Sequence, residues 1–189
     1  MNKIQTLLTT TVLLFGLNVS VIADYKDGLV AGYKDGLVAY EKADYKTAFN
    51  EWKPLAEQGN ALVQFLLGTM YANGQGALKN DKQAVKWYRK AAEQGRADAQ
   101  NNLGLMYDDG KGVLKDYKVA VKWYRKAAEQ DDAEAQFNLG RTYANGQGIL
   151  KDLSKAKYWI KKAYENPDAS ASTIELAEKG WNKLKLWKY

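Results

Sequence analysis

The most regular feature of the chain is a pattern of apolar and polar positions that repeats every 36 residues. Three blocks, residues 60–95, 96–131 and 132–167, align end to end without a gap. Positions that keep the same residue in all three blocks include, numbered in the first, Ala61, Gln64, Leu67, Gly68, Tyr71, Gly74, Gly76, Leu78, Ala84, Trp87, Lys90 and Ala91. Self-similarity of this length is typical of a solenoid, in which each unit buries its apolar face against its neighbours.

Each block contains two helical patterns. In the middle block, recurring positions lie 0, 3, 6, 7 and 10 residues from Ala97, which places them along one stripe of a helix. Apolar residues 0, 3, 4, 7 and 8 residues from Ala120 form a broad face on a second helix, with lysine and arginine on the other side. The sequence therefore predicts a helical hairpin in each block.

Conserved spacing also predicts how the hairpins are built. Asp109-Gly110 is expected to end the first helix through left-handed backbone, and Gly112 to keep the turn tight. Asp116 is expected to cap the second helix. Gly104 should face the partner helix, where the missing Cβ lets the two backbones approach and seats a bulky aromatic ring.

The segments that flank the repeats are less regular. Residues 33–59 read as a degenerate capping pair, with helices at about 33–42 and 44–58 and a buried stripe of Ala48, Trp52, Leu55 and Ala56. The heptapeptide YKDGLVA occurs at 25–31 and again at 33–39, and an offset of eight residues turns a helix about 80° past full turns. We therefore expect residues 24–32 to be a weakly ordered lead-in. Residues 168–189 are predicted to form a capping helix, about 172–185, and a tail; the helix would bury Ile174, Ala177, Trp181 and Leu184.

Composition removes several kinds of chemistry. The chain contains no cysteine and no histidine, so it has no disulfides, no thiolate or imidazole metal ligands, and no cysteine nucleophile or histidine base. We therefore predict a protein that is not an enzyme and that holds no cofactor and no metal.

The N-terminus resembles a secretory signal peptide over residues 1–23. Lys3 supplies a positive charge, residues 7–17 are mostly apolar, and Val21-Ile22-Ala23 is a small-residue cleavage site. The alternative, an uncleaved membrane anchor, is disfavoured by the polar residues in this stretch, such as Gln5, Thr9 and Asn18. We predict a periplasmic or secreted mature chain, cleaved near Ala23 and without a stable membrane span.

The repeats resemble a known family. The runs Ala97-Asp98-Ala99-Gln100-Asn101-Asn102-Leu103-Gly104-Leu105-Met106-Tyr107, Gly110-Lys111-Gly112-Val113 and Trp123-Tyr124-Arg125-Lys126-Ala127-Ala128 are similar to the Sel1-like repeat, a relative of the tetratricopeptide repeat. The resemblance covers roughly residues 33–167, and 33–59 looks like the N-terminal cap of many bacterial members, with Ala43 in place of the usual glycine. It implies an all-α fold, a right-handed α-solenoid of stacked helix pairs, that works as a protein-interaction scaffold.

Three motifs suggest other functions. Ser154 and Lys157 match the S-x-x-K pattern of penicillin-interacting enzymes, and some cysteine-rich relatives have been linked to β-lactam binding, so a cell-wall-active or β-lactam-binding enzyme that uses Ser154 is the alternative function. Because S-D-N, K-T-G and the cysteines are missing, we interpret Ser154 as a surface residue. The glycine turns lack the strand and the third glycine of a phosphate-binding loop. Tryptophan and tyrosine alternate with lysine as in nucleic-acid-binding proteins, yet helical spacing buries the rings and puts the cations on the opposite face. With a signal peptide, this disfavours nucleic acid.

The candidate partner site follows from the resemblance to tetratricopeptide stacks, in which the first helices line the concave side. The residues expected to project there are Phe65, Thr69, Asp98, Asn101, Leu105, Asp108, Asp109, Glu134, Phe137 and Arg141, together with Leu62, Asn73 and Asn145. Phe65 and Phe137 are either aromatic anchors for a ligand or padding between neighbouring helices.

Charge suggests the chemistry of the partners. The acidic middle copy favours a polar or cationic peptide on the concave side. Removing residues 1–23 takes away Lys3 alone among charged residues and lowers the formal net charge from +6 to +5, so the basic convex side could meet an anionic envelope component. A secreted effector that binds host proteins is a further possibility that the sequence neither supports nor excludes.

Overall fold

The computed structural model describes residues 19–185, with side chains from residue 30 onward. In that part of the chain every regular element is a helix, and the nine helices are α1 Val19–Glu41, α2 Tyr45–Glu57, α3 Ala61–Asn73, α4 Asp81–Glu93, α5 Ala97–Asp109, α6 Tyr117–Ala128, α7 Ala133–Asn145, α8 Leu153–Tyr164 and α9 Ala171–Lys183. Each helix packs on the one before and the one after it. The predicted all-α solenoid of stacked helix pairs is confirmed.

The core of the stack combines many alanines with a few large side chains. Ala120, Ala127 and Ala128 of α6 are fully buried, and Tyr124 lies among them. An ideal Cβ built on Gly104 of α5 would lie 2.7 Å from the Tyr124 ring. The predicted close approach of the first helix to the second is therefore present, and alanine at this glycine would collide with the ring.

The helix caps lie where the sequence predicts them. The carboxylate of Asp116 accepts hydrogen bonds from the backbone amides of Lys118 and Val119, at 2.9 and 3.0 Å, and Asn80 and Asp152 cap α4 and α8 in the same way. The first helices end at glycines with positive φ, +74° at Gly110. The left-handed residue is thus the glycine itself, whereas the Asp109 before it remains in the helix.

The second glycine of each turn has a role that the sequence did not show. Gly112 has a φ of +70°, and an ideal Cβ on it would meet the Asp81–Lys82 backbone at the start of α4, 2.8 Å from the amide nitrogen of Lys82. Gly76 and Gly148 face the start of α2 and of α6 in the same manner. These glycines therefore set the distance between neighbouring units as well as tightening the turn.

The N-terminal helix is longer than the predicted 33–42. Residues 24–32, predicted to be a weakly ordered lead-in, lie in the same helix as residues 33–41. Helix α1 lies on α2 through Gly36, whose ideal Cβ would be 2.8 Å from Cε2 of Trp52, and the indole of Trp52 donates a hydrogen bond to the carbonyl of Tyr33 at 3.2 Å. Residues 1–18, most of the predicted signal peptide, lie outside the described residues.

The other end of the stack is closed by α9. Ala177 is buried as predicted, but Ile174, Trp181 and Leu184 are only partly buried, and Thr173 takes a buried place that the prediction did not include. The tail from residue 186 lies outside the described residues. None of the described helices is both long and apolar enough to cross a bilayer.

Candidate functional site

We call the accessible side of helices α3, α5 and α7 the first-helix surface; the ten candidate partner-binding residues were predicted to lie on it. The structure separates these residues into two groups. Some remain at least partly accessible, and others are held inside the stack by contacts between repeats.

Phe65 and Thr69 form the first part of this surface, on α3. The half-buried ring of Phe65 lies 6.0 Å from the ring of Tyr88, and the guanidinium carbon of Arg96 is 5.7 Å from its centroid. The hydroxyl of Thr69 accepts a hydrogen bond from that of Tyr88 and donates one to the carbonyl of Phe65, both at 3.2 Å. Phe65 thus packs at a junction while keeping part of its ring accessible.

The positions equivalent to Phe65 in the other two repeats make different contacts. Asn101 is 2% exposed, so the prediction that it projects into a groove is wrong; its carbonyl accepts a hydrogen bond at 3.1 Å from the amide of Asn138 on the next first helix. Phe137 is half-buried against Ile160 and α9, and an ideal Cβ on Gly180 would be 3.4 Å from its ring. The two phenylalanines therefore lie in different environments, and Phe137 serves as padding under the C-terminal helix.

Asp108 was predicted to project but forms a buried polar link between two repeats. Its carboxylate accepts a hydrogen bond from the hydroxyl of Tyr124 at 3.3 Å and forms an ion pair with Arg141 on α7. Burial raises the pKa of Tyr124, and the nearby Asp108 carboxylate raises it further. Alanine occupies the position of Asp108 in the other two repeats, as Ala72 and Ala144, so this link is specific to the junction between α5 and α7.

Two further candidates on α5 have local partners. Leu105 is partly buried against the apolar cluster around Tyr124. Asp109 is exposed and pairs with the ammonium of Lys111 at 2.8 Å. The acidic character predicted for the middle repeat is therefore largely neutralised at this end of α5.

Negative charge remains at the opposite end of the first helices, where Asp98, Asp132 and Glu134 form what we call the acidic cluster. Asp98 pairs with Arg96, and Asp132 caps α7 by accepting from the amide of Ala135 at 2.7 Å. Partial burial raises the pKa of Asp132, and Asp98 raises it further; desolvation and the charge of Asp132 also raise the pKa of Glu134. A neighbouring carboxylate contributes to the raised pKa of both Asp132 and Glu134, so the cluster is suited to a cationic group.

Three buried glutamines, Gln64, Gln100 and Gln136, join neighbouring units and form what we call the glutamine chain, a role that was not predicted from the sequence. The side-chain amide of Gln100 donates to the carbonyl of Ala92 at 3.0 Å, and its carbonyl accepts from Gln130 at 2.8 Å. Gln64 and Gln136 make the same two kinds of contact at the other junctions. The sequence does contain a polar residue that recurs within a buried stripe. Its role could not be predicted, because that role depends on which backbone carbonyl lies opposite the glutamine.

The tryptophans of the second helices were predicted to lie on the face opposite the lysines, but lysine side chains reach their rings. The ammonium of Lys90 lies 4.4 Å from the ring centroid of Trp87, and that of Lys126 lies 4.6 Å from Trp123. Trp123 is also only partly buried, because its outer edge faces this lysine. The Trp–Lys alternation is thus an intramolecular cation–π pattern on each second helix.

The S-x-x-K motif lies on the surface. Ser154 is exposed in the first turn of α8, as expected, and the ammonium of Lys157 lies over the ring of Trp181, 5.8 Å from its centroid. Between residues 19 and 185, no group of three or more acidic side chains is placed to hold a metal ion.

Comparison with known proteins agrees with this architecture. Residues 61–95, 97–132 and 133–168 match the family model described as Sel1 repeat. A Sel1 repeat protein from Oxalobacter formigenes superposes with a TM-score of 0.71 at 36% identity, covering 82% of this chain and 59% of that one. The protein c5321, a protective antigen present in uropathogenic Escherichia coli strains that displays an SLR fold, superposes with a TM-score of 0.74 at 32% identity, covering 88% of this chain and 37% of that one.

A more distant structure shares the fold alone: cysteine rich protein B of Helicobacter pylori superposes with a TM-score of 0.55 at 21% identity, over 69% of this chain and 96% of that one. The chain spans less than two thirds of the length of the first two relatives. A comparison with curated proteins finds no significant match. Because three consecutive matches to one repeat model cover more than half of the chain, this protein belongs to the Sel1 repeat family.

Proposed function

We propose that this protein is a non-enzymatic scaffold that binds a protein or peptide partner on the first-helix surface. Proteins built from Sel1 repeats are generally protein-interaction scaffolds, and three consecutive repeats present such a surface here. The single observation that carries the proposal is that equivalent positions on this surface differ between repeats, whereas many core positions, such as Leu67, Gly68 and Ala84, keep the same residue. Residues that packing does not fix are free to specify a partner.

The surface chemistry supports a partner segment with an apolar side chain close to basic residues. Leu62 and Phe65 present partly exposed apolar groups on α3, and the acidic cluster follows on α5 and α7. An apolar anchor would contact the exposed edge of Phe65. Lysine or arginine in the same segment would meet Glu134, an exposed residue whose pKa is raised by desolvation of the carboxylate and by the charge of Asp132.

Site-specific photo-crosslinking tests this proposal. A photoreactive phenylalanine analogue at Leu62 or Glu134 should give one discrete crosslinked product in envelope extract, and the product should disappear when unlabelled wild-type protein competes. The matched control carries the same analogue at Asn50, which is exposed on α2 and lies outside the first-helix surface. A product formed equally from Asn50, or none from any of the three positions, would refute binding on the first-helix surface.

We further propose that the chain works in the periplasm or outside the cell. This location is supported by the signal-like composition of residues 1–23. Cleavage after Ala23 would leave residues 24–41 of α1, which include Gly32, Tyr33 and Gly36, the residues that meet Leu55 and Trp52 of α2. N-terminal sequencing of the chain recovered from fractionated cells should begin at Asp24, and recovery of an intact N-terminus from the cytoplasm would contradict the proposal.

The outer side of the second helices supports a second kind of contact, with an anionic envelope component. Lys86 and Arg89 of α4 and Lys122 and Arg125 of α6 are all exposed. Such a surface attracts polyanions through charge that salt screens over about 10 Å. Binding to purified lipopolysaccharide that falls steeply with added salt is the expected result, and salt-independent binding would exclude this charge-based contact.

A further inference from the structure

Three leucines project almost completely into solvent from the same edge of the solenoid. Leu78, Leu114 and Leu150 are 92%, 91% and 88% exposed, more than any other large apolar side chain between residues 30 and 185. Each lies in the loop between the first and the second helix of its repeat, 36 residues from the next. We call these three residues the leucine row. Single exposed leucines are ordinary, but three at one position of a repeat form a regular apolar surface.

The loops that carry the leucine row are held rigidly. In the middle loop, Gly110 and Gly112 fix left-handed turns, and the amide of Asp116 donates a hydrogen bond to the carbonyl of Tyr107 at 3.0 Å. The residue before the leucine, Val113, turns inward onto the core. The other two loops have the same glycines and the same backbone bond. The leucines therefore pack against nothing that the fold requires, and little order needs to be gained when they are covered.

Charge along this edge is positive around each leucine. Lys79, Lys115 and Lys151 directly follow the three leucines, and all are exposed. Lys82, Lys118 and Lys155 add an exposed lysine in the first turn of each second helix. Asp81, Asp116 and Asp152 supply one carboxylate at each of these helix starts, and Asp109 pairs with Lys111, so two lysines stand against one aspartate beside each leucine. An apolar side chain beside surplus positive charge is the arrangement by which proteins lie on anionic lipid surfaces.

We propose that the leucine row docks this protein on the surface of a bilayer that contains anionic phospholipids. The leucines enter the boundary between headgroups and acyl chains, and the adjacent lysines meet the lipid phosphates. This edge consists of loops, so the first-helix surface stays open to a protein partner while the edge is on the membrane. The proposal does not depend on the identity of that partner.

The absence of cysteine in the chain permits a clean test of position. Full-length Leu114→Cys and, as the matched control, Glu129→Cys at the other end of α6 are each labelled with an environment-sensitive fluorophore. On vesicles of phosphatidylcholine with phosphatidylglycerol, the label at 114 should shift to the blue and be quenched by spin-labelled lipid, and the label at 129 should not. The N-terminal segment is the same in both proteins, so it cannot produce a difference between them. Equal responses at 114 and 129, or no response at either, would overturn the proposal.

Substitutions separate the apolar contribution from the charge. Adding Leu78→Ser and Leu150→Ser to the labelled Leu114→Cys protein should lower vesicle binding at least about tenfold, because two apolar side chains are withdrawn from the membrane. Leu176→Ser, which removes an exposed leucine on α9, should leave binding unchanged. Lys79→Gln, Lys115→Gln and Lys151→Gln together should abolish the preference for vesicles with phosphatidylglycerol over pure phosphatidylcholine. If the serine substitutions leave vesicle binding intact but convert a dimer to a monomer in size-exclusion chromatography, the row is an interface between copies and the proposal is wrong.

Discussion

Alanine at Gly76 should weaken the stack much more than alanine at Gly74, although both glycines lie in one turn and both have a φ of +72°. At Gly74, an ideal Cβ would be 3.3 Å from Cβ of Lys79, a flexible and exposed residue. At Gly76 it would be 2.8 Å from Cβ of Phe49 and closer still to the backbone carbonyl of Tyr45, both on α2. The pair therefore holds φ constant and differs chiefly in the contact between units.

The expected magnitudes follow from these contacts. A left-handed alanine costs about 1–2 kcal/mol, and both variants carry this cost. Overpacking against backbone that cannot move costs about a further 1–3 kcal/mol, and only Gly76→Ala carries it. The free energy of unfolding should therefore fall by about 1–2 kcal/mol in Gly74→Ala and by about 2–5 kcal/mol in Gly76→Ala.

Urea denaturation followed by circular dichroism at 222 nm measures both values. Thermal melts give a second measure, since each kcal/mol lowers Tm by about 2–4 °C in a chain of this size. Equal destabilisation of the two variants would show that Gly76 serves only the turn, and would refute the conclusion that it sets the distance between units.

Three further predictions concern polar groups inside the stack. Arg141→Met should destabilise the fold by about 1–3 kcal/mol because it leaves the buried Asp108 carboxylate without its cation, and adding Asp108→Asn should restore part of the loss in the same denaturation assay. Gln100→Leu should cost about 0.5–1.5 kcal/mol, since it removes the side-chain donor to the Ala92 carbonyl, which keeps its bond from the backbone amide of Gly95. Hydrogen exchange should be faster at the α4–α5 junction than at the α2–α3 junction, and equal protection would contradict this. The pKa of Asp132 is raised in the folded state, so ionisation of this group opposes folding. The free energy of unfolding should therefore rise as pH falls through the folded pKa towards the unfolded value of about 3.9. Asp132→Asn should therefore be more stable than the wild type at pH 7, with the difference vanishing below about pH 4; a difference independent of pH would contradict the assignment.

The sequence was sufficient for the features that repeat. Apolar periodicity placed the helix pairs, and the N-caps at Asn80, Asp116 and Asp152 followed from the need to satisfy free backbone amides. The close approach at Gly104 was predictable for the same kind of reason, since a glycine on a buried stripe offers space that a ring can fill.

Features that depend on the next unit along the stack could not be predicted. Asn101 was expected to be accessible because it lies beside the buried stripe of α5, but Asn138 of α7 covers it. Phe137 is equivalent to Phe65 by position in the repeat. In the structure, however, α9 packs beside Phe137, and α9 has no counterpart in the repeat. Asp108 gave no sign that Arg141 lies opposite, because the two residues are 33 positions apart and pair at only one junction. Periodicity specifies a unit, whereas these contacts belong to particular pairs of units.

The glutamine chain has a consequence for how such proteins change in length. Gln64, Gln100 and Gln136 each join a unit to the end of the helix pair before it through the same carbonyl position, and Gln94, Gln130 and Asn166 supply the matching amide from the unit's own second helix. A copy of residues 96–131 inserted or removed in register would bring both halves of its joint with it. The glutamine joint would thus be kept when a repeat is gained or lost, whereas the Asn101–Asn138 and Asp108–Arg141 contacts would disappear with residues 96–131. The extent of the surface that the chain offers to partners would change in steps of one unit.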